Sequence, residues 1–408
     1  MKLPLLFLFI ALTITSFTSC SKDFNPQKDP EKKAEQTPIL ISAAIANNIT
    51  DFSFFFMKNL QTEAPATDNI FVSPLSLHMA LGMLVNGATR ETKEEIMKAL
   101  KTESLSQTEL NETYKKLLKE LPEADPKVKL ALANSIWYKN TLTVEPGFLT
   151  NMRNYFSAEI QPLTTVEPVN KWASDNTNGK IPKVLEKLDP GIVMLIMNAL
   201  YFKGDWATQF KTEQTADQNF RLDNGSIKTV KMMNQQDSFE YASLTDYNVL
   251  RMPYANGQFV ATFVLPKSGK TIGDVFNAFN TAKWDEMQGN LRKQTVMVGL
   301  PKFKFSQEFN LNETLKKMGM VRAFTDFAQL DQINKTARLY VDFVKQNTYV
   351  GVDEVGTEAA AVTTIGVGVT SMPSYPSFIC DNPFGFIVSE NTSNTILFMG
   401  RIMNPEIK

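Results

Sequence analysis

The chain holds a single histidine, His78, among 408 residues. A Ser-His-Asp or Cys-His catalytic arrangement would have to recruit that one side chain. His78 lies in an apolar run after Ser73-Pro74, where a core histidine is the simpler reading. Cysteine is nearly as scarce, with only Cys20 and Cys380. That excludes a disulfide scaffold and a cysteine-clustered zinc site. No His-Glu-x-x-His and no Gly-x-Ser-x-Gly occurs. Gly366-Val-Gly368 begins like a nucleotide loop, but serine stands at 371 and no helical pattern follows. No metal, cofactor or catalytic residue is therefore expected, and the chain does not read as an enzyme. Charge of one sign is missing too, since 42 basic and 43 acidic residues leave a net charge of -1. Nothing in that balance points to nucleic acid.

Long apolar runs are also absent. The stretch from Leu3 to Ile14, after Lys2, is too short to span a bilayer and reads as an export signal over residues 1–19. It ends in Phe17-Thr-Ser-Cys20, which resembles a bacterial lipobox with Phe in place of the usual Leu. That resemblance implies lipidation at Cys20 and an extracytoplasmic position at a bacterial membrane or cell surface. Cys380 is then left alone, and no intramolecular disulfide is expected. Residues 20–38, rich in Lys, Asp, Glu and Pro, read as a disordered tether. Beyond it, no Gly/Ser/Pro linker interrupts the chain, and 43% hydrophobic residues suffice for one large domain, 39–408.

What is present is strongly patterned. Ile41, Ile45, Ile49, Phe52, Phe56 and Leu60 recur at helical spacing. Ser73 before Pro74 reads as a helix cap with proline in the first turn. Leu130–Tyr138 alternates as a strand. Val193–Phe202 is almost continuously apolar, as in a central strand buried on both faces. Asn224-Gly225 and Asn256-Gly257 each mark a hairpin. Val296–Phe305 reads as one strand, Leu311–Met318 as a short helix, and Tyr349–Val355 as a strand leading into an unusual segment.

That segment runs from Glu354 to Met372 and is uncharged after Glu358. At the two-residue period of a strand, Thr357, Ala359, Ala361, Thr363, Ile365 and Val367 share one face. The face is small or apolar throughout, so a sheet can bury it without an unpaired charge. Glu354-Val-Gly356-Thr357-Glu358-Ala359-Ala360-Ala361 resembles the hinge of the serpins, the serine protease inhibitor superfamily. Further stretches resemble the family in the right order: Asn69–Leu81, Asn86-Gly87-Ala88, Thr92–Leu100, Asn170–Ile181, Asn198–Trp206, Asn382–Ile387 and Ile396–Arg401. The resemblance covers roughly residues 39–407.

The resemblance implies an α+β serpin fold, with several helices packed around three β-sheets and an exposed reactive-centre loop. It implies a monomer that inhibits proteases as an irreversible suicide substrate. The loop is cleaved, inserts into the main sheet and traps a covalent acyl-enzyme. Serpin loop insertion is itself a recognised instance of strand addition and of stored strain released by cleavage. Counting from Glu354 as in the family places the reactive bond at Thr370–Ser371, with Val367, Val369 and Met372 as alternatives. Ser73, Ser76 and Asn198 match a polar cluster beneath the main sheet. The family's usual histidine there is Gln346 in this chain, which bears on any pH sensitivity but still donates and accepts. Trp206 matches the aromatic where the loop first enters the sheet. No lysine or arginine occurs between Lys345 and Arg401. A trypsin-like pocket therefore finds no cation here. Elastase-like serine proteases are the expected targets. A papain-like cysteine protease, which reads the residue before the cleaved one, has Val369 at that place. The alternative is a serpin-fold binding or structural module without inhibitory activity.

Overall fold

The computed structural model describes residues 35–357 and 375–407. The first helix, Ala43–Leu60, is capped by Ser42, whose hydroxyl accepts from the Ile45 amide. Its apolar stripe, Ile45, Ile49, Phe52, Phe56 and Leu60, is buried as the spacing predicts. The next helix, Pro74–Gly87, starts as read, with Ser73 as cap and Pro74 in the first turn. Nearly every residue of it is buried, because it runs between two sheets and touches the strands Met194–Asp205 and Ile396–Ile402. Before the first helix, Gln36 Nε2 donates to Gly257 O at 2.7 Å, and Thr37 exchanges two 2.8 Å bonds with the Gln258 side chain.

Hydrogen bonding gathers the described strands into two sheets. The larger has nine strands and holds both expected hairpins, with Gly225 and Gly257 at φ of 82° and 90°. Positive φ at the second turn residue is what these Asn-Gly pairs supply. The third sheet of the expected architecture is the outer part of this one. Ala216–Arg221 pairs with the first half of the long strand Ile227–Ser243, whose second half continues into the inner strands.

The smaller sheet has six strands. Their order is Phe303–Asn310, Lys345–Val352, Gly356–Thr357, Met194–Asp205, Val128–Tyr138 and Glu159–Pro162. The helix Val166–Asn176 crosses its outer face, where Val169 and Trp172 pack with Trp137, Leu195 and Ala199.

Two sequence expectations need correction. Val296–Phe305 is not one strand. Arg292–Pro301 belongs to the larger sheet and Phe303–Asn310 to the smaller, so the chain changes sheets at Lys302. Pro301 can close one ladder because it has no amide to donate, and an apolar pattern cannot show which sheet a strand joins. The strand before the hinge stops at Val352 rather than Val355. Asp353 Oδ1 accepts from the Val355 and Gly356 amides, and Asp353 N donates to Gly356 O, which turns the chain back. Short-range carboxylate-to-backbone bonds of this kind favour turns over strands.

Candidate functional site

The smaller sheet is open in its middle. Lys345–Val352 and Met194–Asp205 are neighbours only through the two-residue strand Gly356–Thr357. That strand pairs Thr357 with Val352 on one side, and Gly356 and Thr357 with Asp205 and Gly204 on the other. Below it, among the described residues, no backbone pairing joins the two long strands. A cavity of about 710 Å³ occupies the opening, lined by Ser73, Ser76, Trp172, Asn198 and Gln346 among others.

The upper end of the opening is tightly built. Gly356 must be glycine, since a Cβ there would collide with the Gly204 carbonyl. Thr357 Oγ1 meets the Tyr254 hydroxyl at 2.6 Å. Tyr254 in turn stacks on Trp206 with ring centroids 4.6 Å apart. Trp206, only 3% exposed, donates its indole N–H to Asp353 O and its amide to Val355 O. Burying a ring of that size stabilises by about 2–3 kcal/mol. Glu354 is 2% exposed. Its carboxylate accepts from Lys302 Nζ at 2.7 Å and Thr215 Oγ1 at 2.8 Å. Burial pushes that carboxyl up, but the Lys302, backbone and Thr215 bonds outweigh it and hold it below the usual range. Asp353 goes the other way, because burial outweighs its turn bonds and raises it. Tyr254, buried, is raised by desolvation despite its bond to Thr357.

The residues expected to form one polar cluster lie in two separate groups. On one side, Gln346 Oε1 accepts from Ser73 N at 2.9 Å and Gln346 Nε2 donates to Ser73 O at 2.8 Å. Ser73 Oγ donates to Leu397 O and accepts from Ser76 N. On the other, Asn198 Nδ2 donates to Asn134 Oδ1 at 2.7 Å, and Asn134 Nδ2 donates to Phe156 O. Asn198 bonds to neither Ser73 nor Gln346. Its Oδ1 is buried without a partner among the described residues, as is the indole N–H of Trp172. Both residues line the cavity.

His78 is fully buried between Tyr114, whose hydroxyl lies 2.8 Å from Nδ1, and Leu100 O, 3.2 Å from Nε2. Desolvation lowers its pKa to about 4, against the raising effect of the Leu100 bond. Cys380 is buried and free. Glu354, Gly356, Thr357, Ser73, Ser76, Asn198, Gln346 and Trp206 are thus all placed. Cys20, Glu358, Ala359, Ala360, Ala361, Val367, Val369, Thr370, Ser371 and Met372 lie outside the described residues. The sequence reading missed Tyr254, Asn134, Asp353, Thr215 and Lys302. Only Tyr254 carried a local signal, standing two residues before the Asn256-Gly257 turn.

Over residues 47–405 the chain matches the family described as Serpin (serine protease inhibitor). The chain belongs to the serpin family. It is 32% identical over 378 residues to the leukocyte elastase inhibitor of Xenopus laevis, covering 88% of this chain and 99% of that protein. The native state of tengpin, a thermophilic serpin, superposes with a TM-score of 0.83 at 30% identity, over 91% of this chain and 96% of that one. Human thyroxine-binding globulin complexed with thyroxine gives 0.81 at 26% identity, over 89% and 98%. The expected α+β serpin fold is therefore the fold of this chain. Serpins act on target proteases as inhibitors rather than as catalysts in their own right, and thyroxine-binding globulin is similar to this chain while binding thyroxine.

Proposed function

We propose that this serpin is an irreversible suicide-substrate inhibitor, exported and anchored by lipid on Cys20 at a bacterial membrane or cell surface, and acting as a monomer. One observation carries the inhibitory reading: the central opening of the six-stranded sheet has its upper end already occupied by Gly356–Thr357. The residues that follow are small enough to continue as a strand. Each added ladder bond contributes roughly 0.5–1.5 kcal/mol net, so a dozen contribute on the order of 10 kcal/mol before entropy. While the loop is tethered at both ends that gain is inaccessible, and cleavage releases it.

The protease's nucleophile attacks the Thr370 carbonyl, the Thr370–Ser371 bond breaks, and the amine of Ser371 leaves. The acyl ester on Thr370 is then carried along as the loop enters the sheet. Small or aliphatic residues at Val367, Val369, Thr370 and Met372, with no nearby cation, suit an elastase-like pocket. Papain-like cysteine proteases fit through Val369. The similarity to a leukocyte elastase inhibitor supports the same direction.

Incubation with elastase is expected to give a heat- and detergent-stable complex and a C-terminal fragment beginning at Ser371. Trypsin is expected to give neither. A fragment starting outside residues 368–373, or a stable trypsin complex through this loop, contradicts the assignment. Absence of any complex with elastase-like or papain-like proteases would leave a serpin-fold binding module. Mass spectrometry of the native protein tests the anchor, because a mature N-terminus other than lipidated Cys20 removes it.

A further inference from the structure

The opening in the six-stranded sheet is crossed on its outer side by the segment that follows the helix Val166–Asn176. Its first residues are closely specified by local bonds. Thr177 Oγ1 donates to Ala173 O at 2.7 Å and accepts from Ile181 N at 3.0 Å. Gly179 N donates to Ser174 O at 2.8 Å and Lys180 N to Thr177 O at 3.0 Å. Asn178 and Gly179 both have positive φ, 53° and 75°. Two successive left-handed residues reverse the chain, and Asn and Gly are the residues that tolerate it.

The reversal sends two side chains to opposite banks of the opening. Asn178 Nδ2 donates to the Tyr201 hydroxyl at 3.3 Å, on the strand Met194–Asp205. Lys129 supports this side, with Nζ 3.4 Å from Asn178 Oδ1 and 5.7 Å from the Tyr201 ring centroid. Lys180 Nζ lies 4.8 Å over the ring of Tyr349, on the strand Lys345–Val352. Tyr201 and Tyr349 stand at one level. The pairing of Thr357 with Gly204 and with Val352, continued downward, brings both tyrosines to the same position of a strand filling the opening. Beyond Lys180, the same segment lines the cavity with Ile181, Val184 and Leu185.

We infer that Asn178 and Lys180 form a clasp tying the two banks across the outer face, and that the clasp sets the rate at which the sheet takes up a strand. This rests on the reading of the opening as an insertion site. Among the described residues the banks share no backbone ladder below Gly356–Thr357, so side-chain links across this face oppose their movement. A strand filling the opening passes beneath the clasp and past Ile181, Val184 and Leu185, and the Lys180–Tyr349 contact has to loosen first. Lys180, Asn178, Tyr201 and Tyr349 are therefore positioning residues. They touch no protease, and they act through the timing of insertion.

The test follows conversion of the purified protein from the native to the strand-inserted form on warming. Native gels and resistance to urea report the conversion, and no protease is needed. Lys180→Met and Tyr349→Leu are expected to convert roughly two- to fivefold faster than the parent, the range a partly exposed cation–π contact allows. Lys180→Arg and Tyr349→Phe keep a cation and a ring face, and are expected to convert like the parent. Asn178→Gly keeps the backbone turn, removes the Asn178–Tyr201 hydrogen bond and is expected to convert faster. Parent-like rates in Lys180→Met and Tyr349→Leu overturn the clasp while leaving protease inhibition standing. So does a Tyr349→Phe variant as fast as Tyr349→Leu. If no variant takes up a strand even after its loop is cleaved, the insertion reading itself fails and the clasp falls with it.

Discussion

Thr357 shows how much one side chain decides at the mouth of the opening. It is 5% exposed, and its hydroxyl contacts Tyr254, which stacks on Trp206. Thr357→Arg would place a cation at this buried position. Desolvating an unpaired charge costs at least several kcal/mol. The variant is expected to be cleaved by elastase as a plain substrate, with little stable complex on a denaturing gel; full trapping would contradict the insertion mechanism. His78 permits a separate experiment, because it is the chain's only histidine. Its pKa in the folded chain is lowered to about 4, so the unfolded chain binds the extra proton between about 6.5 and 4. Stability is then full above about pH 6.5 and falls as the pH drops toward 4, by about 3 kcal/mol in all. Urea midpoints are expected to decline from pH 6.5 to 5.5 in the parent. That decline should vanish in His78→Asn, measured against each protein's own value at pH 7.5. A decline that persists in His78→Asn assigns it to the carboxylates instead.

At the scale of elements, the short strand Gly356–Thr357 sets a register that can be extended. Thr357 opposite Gly204 and Val352 puts an inserted Thr363 opposite Asn198 on one side and Gln346 on the other. Thr363 would share a face with Thr357, six residues away at the two-residue period. Asn198 Oδ1 is buried and without a partner among the described residues, and the Thr363 hydroxyl is a donor of the right kind. Insertion would thus join the two halves of the polar cluster that are separate in this structure. Thr363→Val keeps the shape and removes the donor. The loop-cleaved form is expected to lose about 1 kcal/mol in urea unfolding, with the uncleaved form unchanged. Equal losses in both forms, or none in either, would refute this register.

The whole molecule holds a large continuous core beside a sheet that is open at its centre. On the proposed insertion mechanism, a loop-cleaved form would be more stable than the uncleaved one, because cleavage would let the sheet gain a strand. Specificity at this scale rests on which protease pocket the loop fills. Thr370→Arg leaves the hinge and the opening untouched and offers a cation to a trypsin-like pocket. It is expected to convert the protein into a trypsin inhibitor while weakening the elastase complex by tenfold or more in association rate, roughly the order seen when one side chain mismatches a pocket. Trypsin cleavage of this variant without trapping would place the reactive bond elsewhere.

Local chemistry made much of this legible in the chain itself. The Ser73-Pro74 start, the stripe of the first helix, the two Asn-Gly hairpins and the apolar run Val193–Phe202, which falls mostly within the strand Met194–Asp205, depend on neighbours a few residues apart. Periodicity and turn preference report such neighbours directly. The hinge was read from its resemblance to the serpins, and of its residues only 354–357 are described. Tertiary structure alone decided the rest. The partners of Glu354 stand at Thr215 and Lys302, and Tyr254 reaches Thr357 across 103 positions. The split between Ser73–Gln346 and Asn134–Asn198 follows from strands that, among the described residues, share no ladder below Thr357. Pairing between distant segments is set by which surfaces meet when the core closes, and no spacing along one chain encodes that meeting.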